Sequence, residues 1–267
     1  MIKAIVSGAA GRMGGRIIHL MEEAAGVTLA GACEQPDHAA VGKDVGEVVG
    51  LPPKCLQVAG SLAEVLGQGE VVIEFTHPEP SLHHLREVAA AGKAMVLGTT
   101  GFSPAQVAEI HALGARTRLV FAPNMSVGVN LMFKVVADVA RVLTEGYDVE
   151  IVEAHHRLKK DAPSGTALKL AQVIAHVLER DLEKVGVYAR RGIIGERRQE
   201  EIGIQTVRAG DIVGEHTVLF GGIGERLEIV HRAHSRDNFA RGALRAAQWV
   251  VAQPPACYDM QDVLGLK

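Results

Sequence analysis

The densest run of reactive side chains in the chain is His155-His156-Arg157-Leu158-Lys159-Lys160-Asp161-Ala162-Pro163-Ser164-Gly165-Thr166. Two imidazoles and two ammonium groups in one loop can hold an anion and exchange protons with it. Ser164 is of the type that caps a helix N-terminus, and Gly165 and Thr166 behind it would offer N–H groups at the positive end of a helix dipole. A small acidic substrate suits such a loop. A solvated basic loop capped by serine has the same composition, so the segment alone leaves both readings open. Metal binding is the weaker reading, because adjacent histidines seldom ligate one ion and no H-x-x-x-H or H-E-x-x-H spacing is present.

A second signal is Gly8-x-x-Gly11-x-x-Gly14, between a β-branched run and an amphipathic segment. Glycines between a strand and a helix allow a tight turn and close approach of backbone to a pyrophosphate. Glu34 ends the next apolar run, 20 residues after Gly14, where an acid that accepts from ribose hydroxyls belongs. Position 10 is alanine, so the spacing departs from G-x-G-x-x-G. With strand, helix and acid in register, the pattern reads as dinucleotide binding rather than an ordinary turn. Gly98-Thr99-Thr100-Gly101 and Ala122-Pro123-Asn124-Met125 also follow strand-like runs. Either is turn chemistry by itself; beside the glycine turn, both become expected cofactor contacts.

These groups need elements to hold them. Ile2–Ser7, Val27–Cys33, 71–75, Ala94–Leu97 and 119–122 read as strands, and helices are expected between them. Helix signals are Met13, Ile17, Leu20 and Met21 on one face, Ser61 with Glu64 as a capping box, Leu82, Leu85, Val88 and Ala89 before Gly92, and Ser103-Pro104 with Gln106 closing at Gly114. Residues 35–55 read as a long loop. Alternation of this kind implies a parallel sheet covered on both faces, with ligands at the carboxyl ends of its strands. The residues there are Gly8, Ala9, Ala10, Gly11, Arg12, Met13, Glu34, Thr76, His77, Gly98, Thr99, Thr100, Pro123 and Asn124. His83-His84 lies on a helix without such context and reads as surface or packing.

After residue 126 the rhythm changes. A long helix over 127–143 is expected, with Asn130, Lys134 and Asp138 as its polar stripe. The strand 149–154, the loop 155–163 and a helix from 164 to about 180 follow. Strands 204–208, 215–220 and 226–233 read as antiparallel, and Ser235 as the cap of a last helix bearing Phe239, Leu244, Ala247 and Val251. An α/β domain followed by an α+β domain, divided near 126, is the expected organisation.

Composition bounds the function. With 28 basic against 31 acidic residues and 4% aromatics, the chain lacks the charge and the stacking platforms of a nucleic-acid binder. No uninterrupted apolar run approaches the ~20 residues of a membrane span, and glycines and Arg12 break the N-terminal run too early for a signal peptide. Cys33, Cys55 and Cys257 form no C-x-x-C pair, which fits a reducing compartment and neither a zinc ribbon nor a disulfide scaffold.

The segment from Glu153 to Ala167 fills every fixed position of E-x-H-H-x-x-K-x-D-x-P-S-G-T-A and closely resembles the signature of the dihydrodipicolinate reductases. Gly-Ala-Ala-Gly-Arg-Met-Gly at 8–14, Gly-Thr-Thr-Gly at 98–101, Ala-Pro-Asn-Met-Ser at 122–126 and Ala-His-Ser-Arg at 233–236 resemble the family too, so the likeness spans residues 1 to about 251. It implies a Rossmann-type, doubly wound parallel sheet over 1–126 plus 237–267, and a substrate-binding and oligomerisation domain over 127–236 built on a mostly antiparallel or mixed sheet. It implies reduction of 4-hydroxy-tetrahydrodipicolinate, a cyclic imine dicarboxylate, by NADH or NADPH with loss of water, for lysine and diaminopimelate synthesis in the cytoplasm by a homotetramer. His155 and Lys159 match the acid/base pair. His156, Ser164, Gly165 and Thr166 match the substrate side. Gly8 to Met13, Glu34, Gly98 to Thr100 and Ala122 to Met125 match cofactor contacts, and Lys160 stands at a variable position.

Many members follow the acid at 34 with an arginine that grips a 2′-phosphate; Gln35, Pro36, Asp37 and His38 stand here, so NADH is expected to be preferred over NADPH, unless Arg12 or Lys43 reaches the ribose. Two alternatives remain: an amino-acid semialdehyde dehydrogenase, disfavoured because no cysteine sits in a candidate active-site loop, and a dinucleotide-binding redox sensor, which would not need the His/Lys loop.

Overall fold

The computed structural model describes residues 1–267, which divide into two compact units, Met1–Val127 with Arg236–Lys267, and Gly128–Ser235. The first unit alternates strand and helix: β1 (Ile2–Ser7), α1 (Arg12–Met21), β2 (Val27–Cys33), α2 (Val45–Val49), β3 (Val58–Ala59), α3 (Leu62–Val65), β4 (Val71–Glu74), α4 (Pro78–Ala90), β5 (Ala94–Leu97), α5 (Pro104–Gly114) and β6 (Arg118–Phe121). Helix α6 (Val127–Val142) opens the second unit, which continues through β7 (Asp148–His155), α7 (Gly165–Val177), α8 (Leu182–Val185), β8 (Gly186–Val187), β9 (Ile202–Arg208), β10 (Gly214–Gly222) and β11 (Glu225–Ala233). The chain then returns to the first unit with α9 (Asp237–Val250), β12 (Ala256–Tyr258) and α10 (Met260–Leu264).

The first unit holds a seven-stranded sheet in the order β12-β6-β5-β4-β1-β2-β3, every pairing parallel. Its inner strands are buried on both faces: β4 and β5 expose no residue, as their unbroken Val-Val-Ile-Glu and Ala-Met-Val-Leu runs require. One core holds Ile17, Leu20, Ile73, Val96, Ala243 and Leu244, joining α1 and α9 to one side of the sheet. A second holds Ile5, Leu85, Met95, Ile110 and Leu119, joining α4 and α5 to the other. This is the doubly wound arrangement, and the order reverses beside β1, where such sheets take dinucleotides.

The second unit carries a five-stranded mixed sheet, β11-β10-β7-β9-β8. The expectation of antiparallel strands holds for β10 and β11, with β10 also antiparallel to β7, but not for β9, which runs parallel to both β7 and β8. The chain reaches β9 from β7 through α7, a crossover of the length that a parallel pair requires. Residues Val149, Ile151, Leu170, Ile174, Val218 and Phe220 form this unit's own core.

Other expectations shift locally. The long loop 35–55 contains α2, because the Asp44 carboxylate accepts the N–H groups of Gly46, Lys54 and Leu56 and ties the segment around itself. Ser61 donates its hydroxyl to Glu64 instead of capping α3, whereas Ser103 and Gln106 form the expected capping box. The N-cap of α9 falls on Arg236, not Ser235. Asn130 is buried while Lys134 and Asp138 stay outward and pair with each other, and the outward face also carries Leu131, Val135 and Val142. The short β3, β8, β12 and α10 gave no readable period.

Candidate active site

In the first unit, the turn between β1 and α1 is fixed by backbone. Gly8 and Ala9 donate to the Cys33 carbonyl at 2.9 and 3.2 Å, and Gly11 donates to the Gly8 carbonyl at 2.9 Å. Gly8 lies at φ +67°, which favours glycine, and a Cβ on Gly14 would stand 2.1 Å from the Gly8 carbonyl oxygen. No side chain caps α1, so its first turn faces outward beside exposed Ala10, Gly11 and Arg12 while Met13 turns half inward. A cradle that admits no Cβ beneath an uncapped helix start fits a pyrophosphate. Glu34 stands at the end of β2, and its Oε1 accepts the Ala10 N–H at 2.9 Å. The acid and the glycine turn thus meet, as a ribose next to a pyrophosphate requires.

The turns after β4, β5 and β6 bring the other expected cofactor residues to the same sheet edge, though not with the same groups outward. Thr76 gives both its N–H and its hydroxyl to Glu74. Thr99 is buried and bonds Ser81 Oγ at 2.7 Å, while Thr100 is exposed. Ala122 and Met125 are buried, Pro123 is exposed, and Asn124 accepts the Ser126 N–H at 2.9 Å. Thr99, Ala122 and Met125 therefore support the edge with their side chains and can meet a ligand only through backbone. Sequence reasoning passed over Glu74 and dismissed His84; the signal available was an acid ending a fully apolar strand.

In the second unit, His155 is the last residue of β7 rather than part of the following loop. Its Nδ1–H donates to Glu153 Oε2 at 2.6 Å, and its ring meets the His216 ring edge-on at 5.2 Å. Glu153 is completely buried and takes four further bonds: two from Arg208 at 2.8 and 2.9 Å, one from the Ser164 N–H at 3.0 Å and one from Thr206 at 3.2 Å. Burial pushes the Glu153 carboxyl up, but Arg208, His155 and Ser164 more than offset it and hold it below the ordinary range. An ionised carboxylate only accepts, so the His155 proton sits on Nδ1 and the lone pair on Nε2. That nitrogen lies over Gly214, where a Cβ would stand 3.0 Å away. Burial lowers the His155 pKa; Glu153 counters this, and Lys159 and Arg208 add to the lowering. His155 is therefore a neutral base near pH 7.

Lys159 is held by both oxygens of Asp161 at 2.8 and 2.9 Å. Arg208 also donates to the Asp161 carbonyl at 2.6 Å, and the Arg157 N–H reaches the Gly210 carbonyl at 3.1 Å, so the loop after β7 is tied to the β9–β10 turn. His156 is half-buried and Lys160 exposed. The Ser164 hydroxyl accepts the Ala167 N–H at 3.2 Å and lies 3.0 Å from His216 Nε2. The Ser164 N–H is also taken, by Glu153, so Ser164 ties the start of α7 to β7 and β10. Gly165 is exposed at the start of α7 with open space beside it, and Thr166 follows half-buried. Burial pushes the His216 pKa down to about 3, so it stays neutral between Ser164 and His155. Sequence reasoning missed Arg208 and His216, which reach the site only through the pairing of β9 and β10 with β7.

Two family models together match almost the whole chain. Residues 2–125 match the N-terminal model of dihydrodipicolinate reductase and residues 128–264 its C-terminal model. The chain belongs to the dihydrodipicolinate reductase family. Over all 267 residues, and over the whole of each relative, it is 61% identical to the 4-hydroxy-tetrahydrodipicolinate reductase of Syntrophobacter fumaroxidans and 56% identical to that of Syntrophus aciditrophicus. A dipicolinate-bound dihydrodipicolinate reductase from a Paenisporosarcina species is 26% identical, with a TM-score of 0.77 over 98% of this chain and 99% of that one. An amine dehydrogenase from Mycobacterium smegmatis, 16% identical with a TM-score of 0.59 over 96% of this chain and 94% of its own, shares the fold. As a family member this chain is a pyridine-nucleotide oxidoreductase.

Proposed function

We propose that this protein reduces 4-hydroxy-tetrahydrodipicolinate to tetrahydrodipicolinate with a reduced pyridine nucleotide, releasing water, in lysine and diaminopimelate synthesis. The observation that carries this reading is the His155 imidazole pinned at Nδ1 by a buried carboxylate, with Lys159 in the next loop turn and the exposed start of α7 beyond it. A dicarboxylate is recognised by Gly165 and Thr166 at the helix start and by His156, as the dipicolinate carried by the Paenisporosarcina relative suggests.

Loss of water from a 4-hydroxy cyclic imine needs a base at the carbon beside the imine and an acid at the departing hydroxyl. His155 Nε2 takes that carbon-bound proton, and the Lys159 ammonium protonates the hydroxyl so that it leaves as water. When bound, reduced nicotinamide supplies the hydride to the conjugated carbon so formed. The His155 imidazolium returns its proton to the resulting enamine carbon, and Lys159 regains one from solvent, so one proton is consumed overall. Glu153 stabilises the imidazolium between these steps, and Arg208 keeps Glu153 ionised.

For the cofactor, Gly8 to Gly11 and the start of α1 receive the pyrophosphate, Glu34 the adenosine ribose, and the edge from Thr76 through Gly98–Thr100 to Ala122–Met125 the nicotinamide half. Glu34 repels a 2′-phosphate and Gln35 brings no charge to offset it, so NADH is preferred over NADPH. A homotetramer assembles through the second unit: Leu131, Val135, Val142, Leu227 and Val230 are exposed on α6 and β11. A groove of about 470 Å³ lined by Val135, Asp138, Val139, Val142, Leu143 and Leu227 lies among them. No helix is long and apolar enough to cross a membrane. Three free cysteines support a reducing compartment, the cytoplasm. Burial pushes Cys33 up to about 12 and Cys257 to about 11, which counts against thioester chemistry at either. The deciding experiment follows NADH oxidation with and without the cyclic substrate; oxidation indifferent to that substrate would overturn the reading.

A further inference from the structure

A fully buried carboxylate ends β4 in the first unit. Glu74 has no solvent exposure, and each of its oxygens is committed. Oε1 accepts the Thr76 N–H at 2.9 Å, the Thr76 hydroxyl, and the Ser81 hydroxyl at 3.2 Å. Oε2 accepts from His84 Nδ1 at 2.7 Å, and that nitrogen is also 3.3 Å from the Ser7 hydroxyl. Burial pushes Glu74 up, yet the bonds from His84, Thr76 and Ser7 more than offset this and keep it below the ordinary carboxylate range.

An acceptor that cannot donate gives the whole cluster one direction. Because Ser81 spends its hydrogen on Glu74, the 2.7 Å bond between Ser81 and Thr99 has Thr99 as its donor. The chain of bonds thus runs from Thr99 through Ser81 to Glu74, with Thr76 and His84 donating to the same group. Its ends lie in two turns expected to receive the nicotinamide half: Thr76 after β4 and Thr99 after β5. The methyl group of Thr76 is turned toward the glycine turn, 2.7 Å from where a Cβ on Gly8 would stand. One carboxylate therefore fixes the turn after β4 directly, the turn after β5 through Ser81, and the turn after β1 through the Thr76 methyl. A core needing only to be filled would hold an apolar residue here, since an ionised group inside a sheet is costly unless fully bonded.

We propose that Glu74, supported by His84 and Ser81, is a positioning residue for the cofactor, holding three strand-end turns in the geometry that receives reduced nicotinamide dinucleotide before any substrate is present. This rests on the functional reading above. It makes the cofactor edge preorganised, so the loss falls on nucleotide affinity and not on recognition of the dicarboxylate.

The test titrates the full-length protein with NADH by fluorescence and with pyridine-2,6-dicarboxylate by calorimetry, alongside thermal melts. Glu74→Gln, of the same shape but with a donor facing His84, is expected to raise the NADH Kd about tenfold and leave the dicarboxylate Kd unchanged. Ser81→Ala, which frees only the Thr99 turn, is expected to raise it about threefold, and Glu74→Asp, which keeps the charge, to fall between wild type and Glu74→Gln. A lower Tm with unchanged NADH affinity would make Glu74 a merely structural group and overturn the proposal. So would a dicarboxylate Kd that rises in step with that for NADH. If Glu74→Gln does not fold, Ser81→Ala is judged by the same two criteria. A wild-type protein that fails to bind NADH overturns the functional reading and this inference with it; unchanged affinity in the variants overturns this inference alone.

Discussion

Lys159→Met is expected to lower kcat at least ~100-fold, because the ammonium that protonates the leaving hydroxyl is lost. NADH affinity, read by a binding titration beside steady-state kinetics, is expected to stay unchanged, since Lys159 belongs to the other unit from the glycine turn. Near-normal turnover would remove Lys159 from the chemistry. The base is governed by charge around it. Neutral His155 is the active form and its folded pKa lies below 6.5, so the acid limb of kcat/KM is expected to inflect below pH 6.5. Arg208 is among the charges that lower it, so Arg208→Gln raises the His155 pKa and moves that limb to higher pH, which a pH–rate profile reads directly. At Gln35, replacement by arginine restores a charge-assisted contact of ~1.5–3 kcal/mol to a 2′-phosphate, a shift of about tenfold or more toward NADPH. The ratio of kcat/KM for the two cofactors, measured at fixed ionic strength, checks it; an unmoved ratio would mean residue 35 does not face the ribose.

At the scale of elements, strand ends do the positioning in both units. The turn leaving β1 is closed by backbone bonds and by the Glu34 carboxylate on the Ala10 N–H, and its tightest contact is that of Gly14 against the Gly8 carbonyl. Gly14→Ala places a carbon 2.1 Å from that oxygen, so the turn or the helix start must move. NADH binding is expected to weaken ~100-fold or more, while pyridine-2,6-dicarboxylate, whose proposed contacts lie in the other unit, binds as before. Loss of both affinities together would show general unfolding instead of local damage. The second unit uses sheet pairing for the same end. Glu153 on β7 sits opposite His216 on β10 and Thr206 on β9, and Arg208 arrives at the register of His155. A central strand flanked on both sides can gather partners distant in sequence around one carboxylate.

For the molecule as a whole, each unit carries its own core, and the outward apolar side chains concentrate on the second. Leu227, 44% exposed on β11, borders the groove shared with Val135 and Val142 of α6. Burying such a side chain against another copy is worth ~1.5–3 kcal/mol per residue, repeated in every subunit of a closed assembly. Wild-type protein is therefore expected to run as a tetramer in light scattering, and Leu227→Asp as a smaller species with its fold intact by circular dichroism. A tetramer that survives the aspartate would move the interface away from this face.

The amino-acid sequence by itself determined the alternation of the first unit, the place of the dinucleotide turn and the long motif from Glu153 to Ala167. All three are local signals: burial on both faces writes continuous apolar runs into strands, glycine marks backbone that no side chain can share, and a loop carries its reactive residues side by side. The short α2, β3, β8 and β12 were not legible because so few residues show no period, and the parallel run of β9 depends on a crossover that hydrophobicity does not record. Only the tertiary structure decided which groups surround the reactive ones. Glu74 was an acid closing an apolar strand and His84 one of two helical histidines until packing joined them at 2.7 Å. Arg208 lies 55 residues from Glu153, and His216 lies 52 from Ser164. The protonation of His155 depends on those distant partners, because the free energy of a buried charge is set by what lies within a few ångströms of it and not by its neighbours along the chain.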